Sequence, residues 1–321
     1  MQSNLQIKKF FQTMINRILI RIKVLQIVYA YHQNGNGDLK SAENDLQFSL
    51  KKSYELYLAF FLLLIEVTRL QNRILETKKE KYIPTEEELN PNMRFVNNRF
   101  IAQLAADESF WKLIKENGVS WDNDEDFVKR ILDQILDSDL YAEYLEAEED
   151  NYELDQQFWA KAFKQLICDN EMIDEHLEDK SIFWNDDVEI IESFVLKTIK
   201  RFKEAQPANK VLLPMFKDED DRTFAIKLLR QTFLKKEEYR ELIGRYLTNW
   251  DADRVANIDM VILQIALAEI FAFPTIHTSI SMNEYIEIAK YYSSPKKVPF
   301  INATLESIVR DAKREHKLLK D

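Results

Sequence analysis

Residues 249–309 read NWDADRVANIDMVILQIALAEIFAFPTIHTSISMNEYIEIAKYYSSPKKVPFINATLESIV. Three helices are legible in this stretch. From Met260 to Ala268 there is no charged residue, and Pro274 closes the run. A helix apolar on most sides belongs in the middle of a bundle. Ser281 and Glu284 stand in capping-box spacing, which predicts the start of the second helix, and Ser293-Ser294-Pro295 predicts its end. The third is expected after Pro299, where Ile301, Leu305, Ile308 and Val309 fall on one helical face.

Working toward the N-terminus, residues 1–37 carry Lys8, Lys9, Arg17, Arg21 and Lys23 and no acid, in a chain of formal net charge −11. Ile15, Ile18, Leu19, Ile22 and Leu25 make an apolar stripe, and Arg17 and Arg21, four apart, share a neighbouring face. A turn cluster at Asn34–Asp38 precedes a long helix expected over about 45–79. Pro84 and Asn90-Pro91-Asn92 break the chain after it. The following stretch, to about Pro207, is rich in Trp, Tyr and Phe and therefore folded. Helices are expected at about 98–117, 125–136, 139–147, 155–167, 171–178 and 186–204, then at 218–234 and 236–247.

The middle stretch is acidic, with 24 Asp or Glu against 5 Lys or Arg between Asp122 and Glu192. It reads as a solvated helical face, as a docking surface for a basic partner, or as a screen that keeps phosphates elsewhere. Asp122, Asp124 and Asp126 alternate like the first ligands of a calcium loop. The glycine and glutamate such a loop needs at its sixth and twelfth positions are replaced by Phe127 and Asp133.

Composition excludes several classes of function. Four glycines in 321 residues allow no phosphate-cradling loop, so no nucleotide cofactor is expected, nor any other. Low glycine with abundant Leu, Ile, Glu and Lys argues for an all-helical protein. One cysteine, Cys168, permits no intramolecular disulfide and suits a reducing cytoplasm. The four histidines have no metal-ligand spacing, and no nucleophile–base grouping is apparent, so no enzyme is expected. The uncharged run Leu56–Ile65 has about half the length a membrane span requires.

The phrases ILQIALAEI, SMNEYIEIAKYYS and PFINATLESIV, in this order and spacing, resemble the C-terminal half of the NusB family of bacterial transcription antitermination factors. NRILIRIKVLQIVYAYHQN resembles the family's basic first helix, with Ile18, Leu19 and Ile20 thinning its arginine run, and YRELIGRYLTNWD resembles its linker helix. The resemblance covers about residues 14–75 and 210–312. It implies an all-α NusB-like bundle of two three-helix halves with an additional helical insert. The expected divisions are an N-terminal extension at 1–13, with Met14 as an alternative start, bundle helices at 14–83, the acidic insert at 84–207 and the C-terminal bundle at 208–321.

It further implies a non-catalytic cytoplasmic factor that binds boxA-type single-stranded RNA in nascent ribosomal transcripts. The family does so with NusE, which is ribosomal protein S-ten, within an RNA polymerase elongation complex containing other Nus factors. RNA contacts are expected from Arg17, Arg21, Lys23 and Gln26 on the first helix, with Lys296, Lys297 and Phe300 at the start of the last. Cations for phosphate and a ring for stacking are what a single strand needs. Asp253 and Asp259 match acidic partner-facing positions of the family. A similar helical domain precedes the catalytic part of some RNA cytosine methyltransferases, but the glycine-rich cofactor domain of such an enzyme is not expected here. The rival reading is a protein-binding helical scaffold that has lost RNA, favoured by the thinned arginine run and the net negative charge.

Overall fold

The structure, a computed structural model, describes residues 14–35, 38–247, 256–318 and 320. Among them lie fifteen α-helices and no β-strand. The first two are α1 (Arg17–Gln33) and α2 (Leu39–Lys79). The middle of the chain forms α3 (Glu86–Leu89), α4 (Arg99–Ala105), α5 (Glu108–Asn117), α6 (Glu125–Leu136), α7 (Asp139–Glu146), α8 (Tyr152–Ala162), α9 (Glu171–Lys180) and α10 (Val188–Ile199). The last five are α11 (Glu219–Leu234), α12 (Lys236–Gly244), α13 (Asn257–Ala272), α14 (Thr278–Tyr292) and α15 (Val298–Arg314). No described helix is long and apolar enough to cross a membrane.

The chain divides into two compact units. One combines Ile15–Leu50 with Phe216–Asp321; the other contains Met14 and Lys51–Met215. These boundaries differ from the divisions expected at residues 83 and 207, because helices of the middle stretch are built on the second part of α2. Trp121 Nε1 donates to the Ala59 carbonyl at 3.0 Å and Trp184 Nε1 to that of Lys52 at 2.9 Å. Phe60 meets Phe163 edge to face, and the Tyr57 hydroxyl donates to Thr198 Oγ1. Residues 54 and 56–65 are buried on all sides of the helix, leaving no solvated face there.

Local chemistry sets the helix boundaries of this second unit. Asn98, Asp107, Ser138 and Asn151 each accept an orphan backbone N–H at the start of α4, α5, α7 and α8. The expected helix over 98–117 is two, since Ala106-Asp107 ends α4 and caps α5. Gly118, at φ 66°, ends α5 in the left-handed conformation that glycine adopts without strain. A buried polar knot joins the elements: Asp155 accepts from the Tyr144 hydroxyl at 2.6 Å and the Arg99 N–H at 2.8 Å, and the Asn98 amide donates to Tyr144.

On α10, Glu192 is 4% exposed and its Oε1 has no hydrogen-bond partner among the described residues. Burial pushes its carboxyl up to about 8, with Asp174 and Asp169 adding in the same direction. The adjoining Cys168 thiol is pushed up to about 12, chiefly by burial. Glu192 is thus protonated in the folded protein at neutral pH, whereas in the unfolded chain it titrates near the ordinary 4.5. Its contribution to stability is present below that ordinary value and is lost as pH rises to about 8. Glu192→Gln, which mimics the protonated acid, is expected to gain stability relative to wild type steadily across this window. Urea unfolding of both proteins at several pH values checks it; parallel curves would refute the buried acid.

Candidate nucleic-acid interface

In the first unit, α13 packs against α1, α11, α12, α14 and α15. Every residue from Asp259 to Ile270 is buried, as the uncharged run required. Two carboxylates lie in that stretch, Asp259 at its start and Glu269 near its end. Glu269 is fully buried and all four of its acceptor directions are used. Arg21 of α1 donates from Nη2 to Oε1 at 2.7 Å and from Nε to Oε2 at 2.8 Å. Ser281 Oγ and the Tyr285 hydroxyl, both on α14, donate at 2.8 and 2.9 Å. The remaining Arg21 nitrogen, Nη1, reaches Glu284 Oε2 at 3.2 Å.

Burial by itself raises the Glu269 carboxyl, but the hydrogen bonds and charge of Arg21 outweigh it and hold the group below the ordinary carboxylate value. Glu284 moves the other way, raised chiefly by burial. Arg21 opposes its own desolvation with the same contacts and is held above its ordinary value.

This geometry revises three expected site residues. Arg21 is 3% exposed and engaged on all three guanidinium nitrogens, so it ties helices together and does not reach phosphate. Lys23 is 2% exposed, too enclosed for a phosphate contact. Asp259 is 1% exposed and accepts from Ser293 Oγ, so it cannot face a protein partner. It anchors the α14–α15 turn instead. Asp253 lies outside the described residues. The helix start expected at Ser281 also moves: α14 begins at Thr278, and Ser281 and Glu284 serve Glu269 and Arg21, not a cap.

The other expected residues fall on the outside of the same unit. The Arg17 side chain is 43% exposed, pairs through Nε with Asp221 at 3.3 Å, and lies 5.0 Å from the Phe224 ring centre. Gln26 Nε2 donates to the Tyr292 hydroxyl at 3.3 Å, which links α1 to the end of α14. Four residues on, Lys296 is exposed, and Lys297 Nζ stands 5.7 Å from the half-buried Phe300 ring. Tyr291, 79% exposed beside that turn, is a ring the sequence reading passed over. The signal for it was the YYSSPKK phrase, where an aromatic pair directly precedes a basic turn. Gln26 and Tyr292 thus meet at the end of α14, which the Lys296-Lys297 turn and Phe300, in the first turn of α15, follow directly in the chain, while Arg17 stands about two and a half helical turns before Gln26 on α1.

The family model of the NusB family matches residues 188–310. A transcription antitermination protein NusB from Salinibacter ruber is 36% identical over 110 residues, 34% of this chain and 69% of that protein. The chain belongs to the NusB family. Transcription antitermination proteins NusB from Koribacter versatilis (38% over 100 residues, 31% of this chain and 68% of the relative) and Bacillus subtilis (32% over 103 residues, 32% and 79%) are likewise similar. No solved structure gives a significant match. The chain is all-α among its described residues and, as a member of this family, non-catalytic.

The buried pair yields a prediction. Glu269→Gln leaves the buried Arg21 guanidinium with only the partly exposed Glu284 as counter-charge, and Arg21→Met leaves Glu269 buried without one; each is expected to cost about 3–5 kcal/mol. The double variant Arg21→Met, Glu269→Gln is expected to recover part of that loss, because the core then holds neither charge and the remaining Glu284 is partly exposed to solvent. Chemical unfolding of the four proteins measures the coupling; additive losses would remove the ion pair as the link.

Proposed function

We propose that this NusB protein acts in the cytoplasm as a transcription antitermination factor that binds boxA-type single-stranded RNA in nascent ribosomal transcripts, jointly with ribosomal protein S-ten (NusE), on an RNA polymerase elongation complex with other Nus factors. The observation that supports it most is the basic, aromatic turn: Lys296 exposed and Lys297 over Phe300, with Gln26 joined through Tyr292 to the helix that leads into it. Lysines supply phosphate contacts, rings supply stacking and the glutamine amide supplies donors and an acceptor for a base edge. Arg17 adds a third cation, reached from α1. Asp253 remains the candidate for the ribosomal-protein contact.

A second reading, a protein-binding scaffold without RNA, draws on the burial of Arg21 and Lys23. Salt dependence separates the two. Three phosphate contacts from Arg17, Lys296 and Lys297 give a log–log slope of about −2, from about −0.7 each. Raising salt from about 50 to about 200 mM is then expected to weaken boxA-type RNA binding about 20-fold. Lys296→Ala with Lys297→Ala is expected to flatten the slope to about −0.7 and lower affinity for every RNA alike. Phe300→Ala is expected to cost about 1–3 kcal/mol with the slope unchanged. Titrations with and without the ribosomal protein check these outcomes. An unchanged slope in the double-lysine variant removes the turn from the RNA path, and no binding under either condition favours the scaffold.

A further inference from the structure

The second unit carries a groove of about 390 Å³ between α2 and α4. Buried Ile65 and Ile101 lie at its base, and the small Ala102 and Ala105 leave it open. On the α2 side stand Arg69 and Arg73, four residues apart and therefore on one helix face.

The two arginines are prepared differently. Arg69 is held in place: its guanidinium lies 4.8 Å from the Trp111 ring centre and its Nη1 donates to Glu66 at 2.7 Å. Trp111 is fixed in turn by donating from Nε1 to the Ala105 carbonyl at 2.8 Å. Arg73 is exposed and makes no ion pair among the described residues. One oriented guanidinium and one unpaired guanidinium thus stand above an apolar hollow. This is a conspicuous charge on a unit whose sequence from Asp122 to Glu192 has 24 acids against 5 bases.

We propose that this groove docks a short segment of a partner protein in which an apolar side chain is flanked by Asp or Glu. The hollow has the volume of a small ligand pocket and takes one or two aliphatic or aromatic side chains. Guanidinium groups grip carboxylates through two parallel hydrogen bonds, and an arginine already stacked on a ring loses little freedom in doing so. Carboxylates at the flanks meet Arg69 and Arg73, while the acidic remainder of the unit disfavours longer anionic runs. A nucleic-acid strand fits less well. Its successive phosphates would meet that acidic field, and the ring beside the groove is already covered by Arg69.

Panning the full chain against displayed random dodecapeptides tests the assignment, followed by fluorescence anisotropy with the selected peptides made synthetically. The expected winners carry Asp or Glu beside Leu, Ile or Phe. Their binding is expected to weaken about tenfold or more in Arg73→Glu, and comparably in Ala102→Phe, which fills the groove. Arg73 is exposed, so its variant decides the matter if the phenylalanine variant fails to fold. Winners without acidic residues would overturn the proposal, as would undiminished binding to a folded Arg73→Glu protein. So would binding of an oligouridine strand that depends on Arg73 while no peptide binds.

Discussion

The first unit is organised around the buried carboxylate of Glu269. Glu269 sits in the core helix of a bundle where each neighbour offers mainly apolar surface, and an unpaired charge there would cost several kcal/mol. It is tolerated because two helices converge on it: α1 sends Arg21, and α14 sends Ser281 and Tyr285. Replacing such a pair with well-packed apolar residues is often neutral or stabilising, so the pair is not explained by raw stability. What it supplies is geometry. Apolar stripes tolerate sliding and rotation, whereas a bidentate guanidinium with two further donors accepts one register.

Much of this unit was legible in the sequence, for physical reasons that also mark the limit. The uncharged run from Met260 to Ala268 can satisfy itself only by burial on most sides, and α13 is buried throughout it. Prolines and caps are local signals, so α6 and α11 lie within a residue of their expected bounds. The partner of a charge is not a local signal. Arg21 and Lys23 stand in an acid-free segment and read as cations awaiting phosphate, yet both are enclosed. The clue lay some 250 residues away, in Glu269, the next-to-last residue of ILQIALAEI: a carboxylate in such an apolar run must find a cation from elsewhere in the chain. Ser281 and Glu284 misled for the complementary reason, because capping-box spacing is also the spacing of two residues on one helix face. Asp259 was read as facing a partner, and is instead the acceptor that holds Ser293.

The middle of the chain was less legible. Its helices could be placed from periodicity and caps, but their attachment could not, since Trp121 and Trp184 reach backbone carbonyls of α2 across long sequence separations. The aromatic content foretold a core; which helix it enclosed depended on α2 lacking a polar side between residues 56 and 65. The acidic count was correct as a composition and silent about the arginine pair on α2, because both lie outside the counted window.

The ion pair also bears on the outer surface. Gln26 follows Arg21 by five residues, about 7.5 Å along α1 at 1.5 Å per residue. On α14, Tyr292 follows Glu284 by eight residues, about 12 Å. Arg21 meets Glu284 and Gln26 meets Tyr292, so the two helices are stitched at two points from one buried anchor. A slip of one turn, about 5.4 Å, would break the bidentate contact inside and separate the glutamine from the tyrosine outside. Ser293, the next residue, is fixed by Asp259, and the Lys296-Lys297 turn and the start of α15 follow directly. The side chains that line up beside this turn are therefore positioned from within the core. A charge that sequence reading assigned to the ligand acts one layer deeper, setting where α1 and the turn that ends α14 meet.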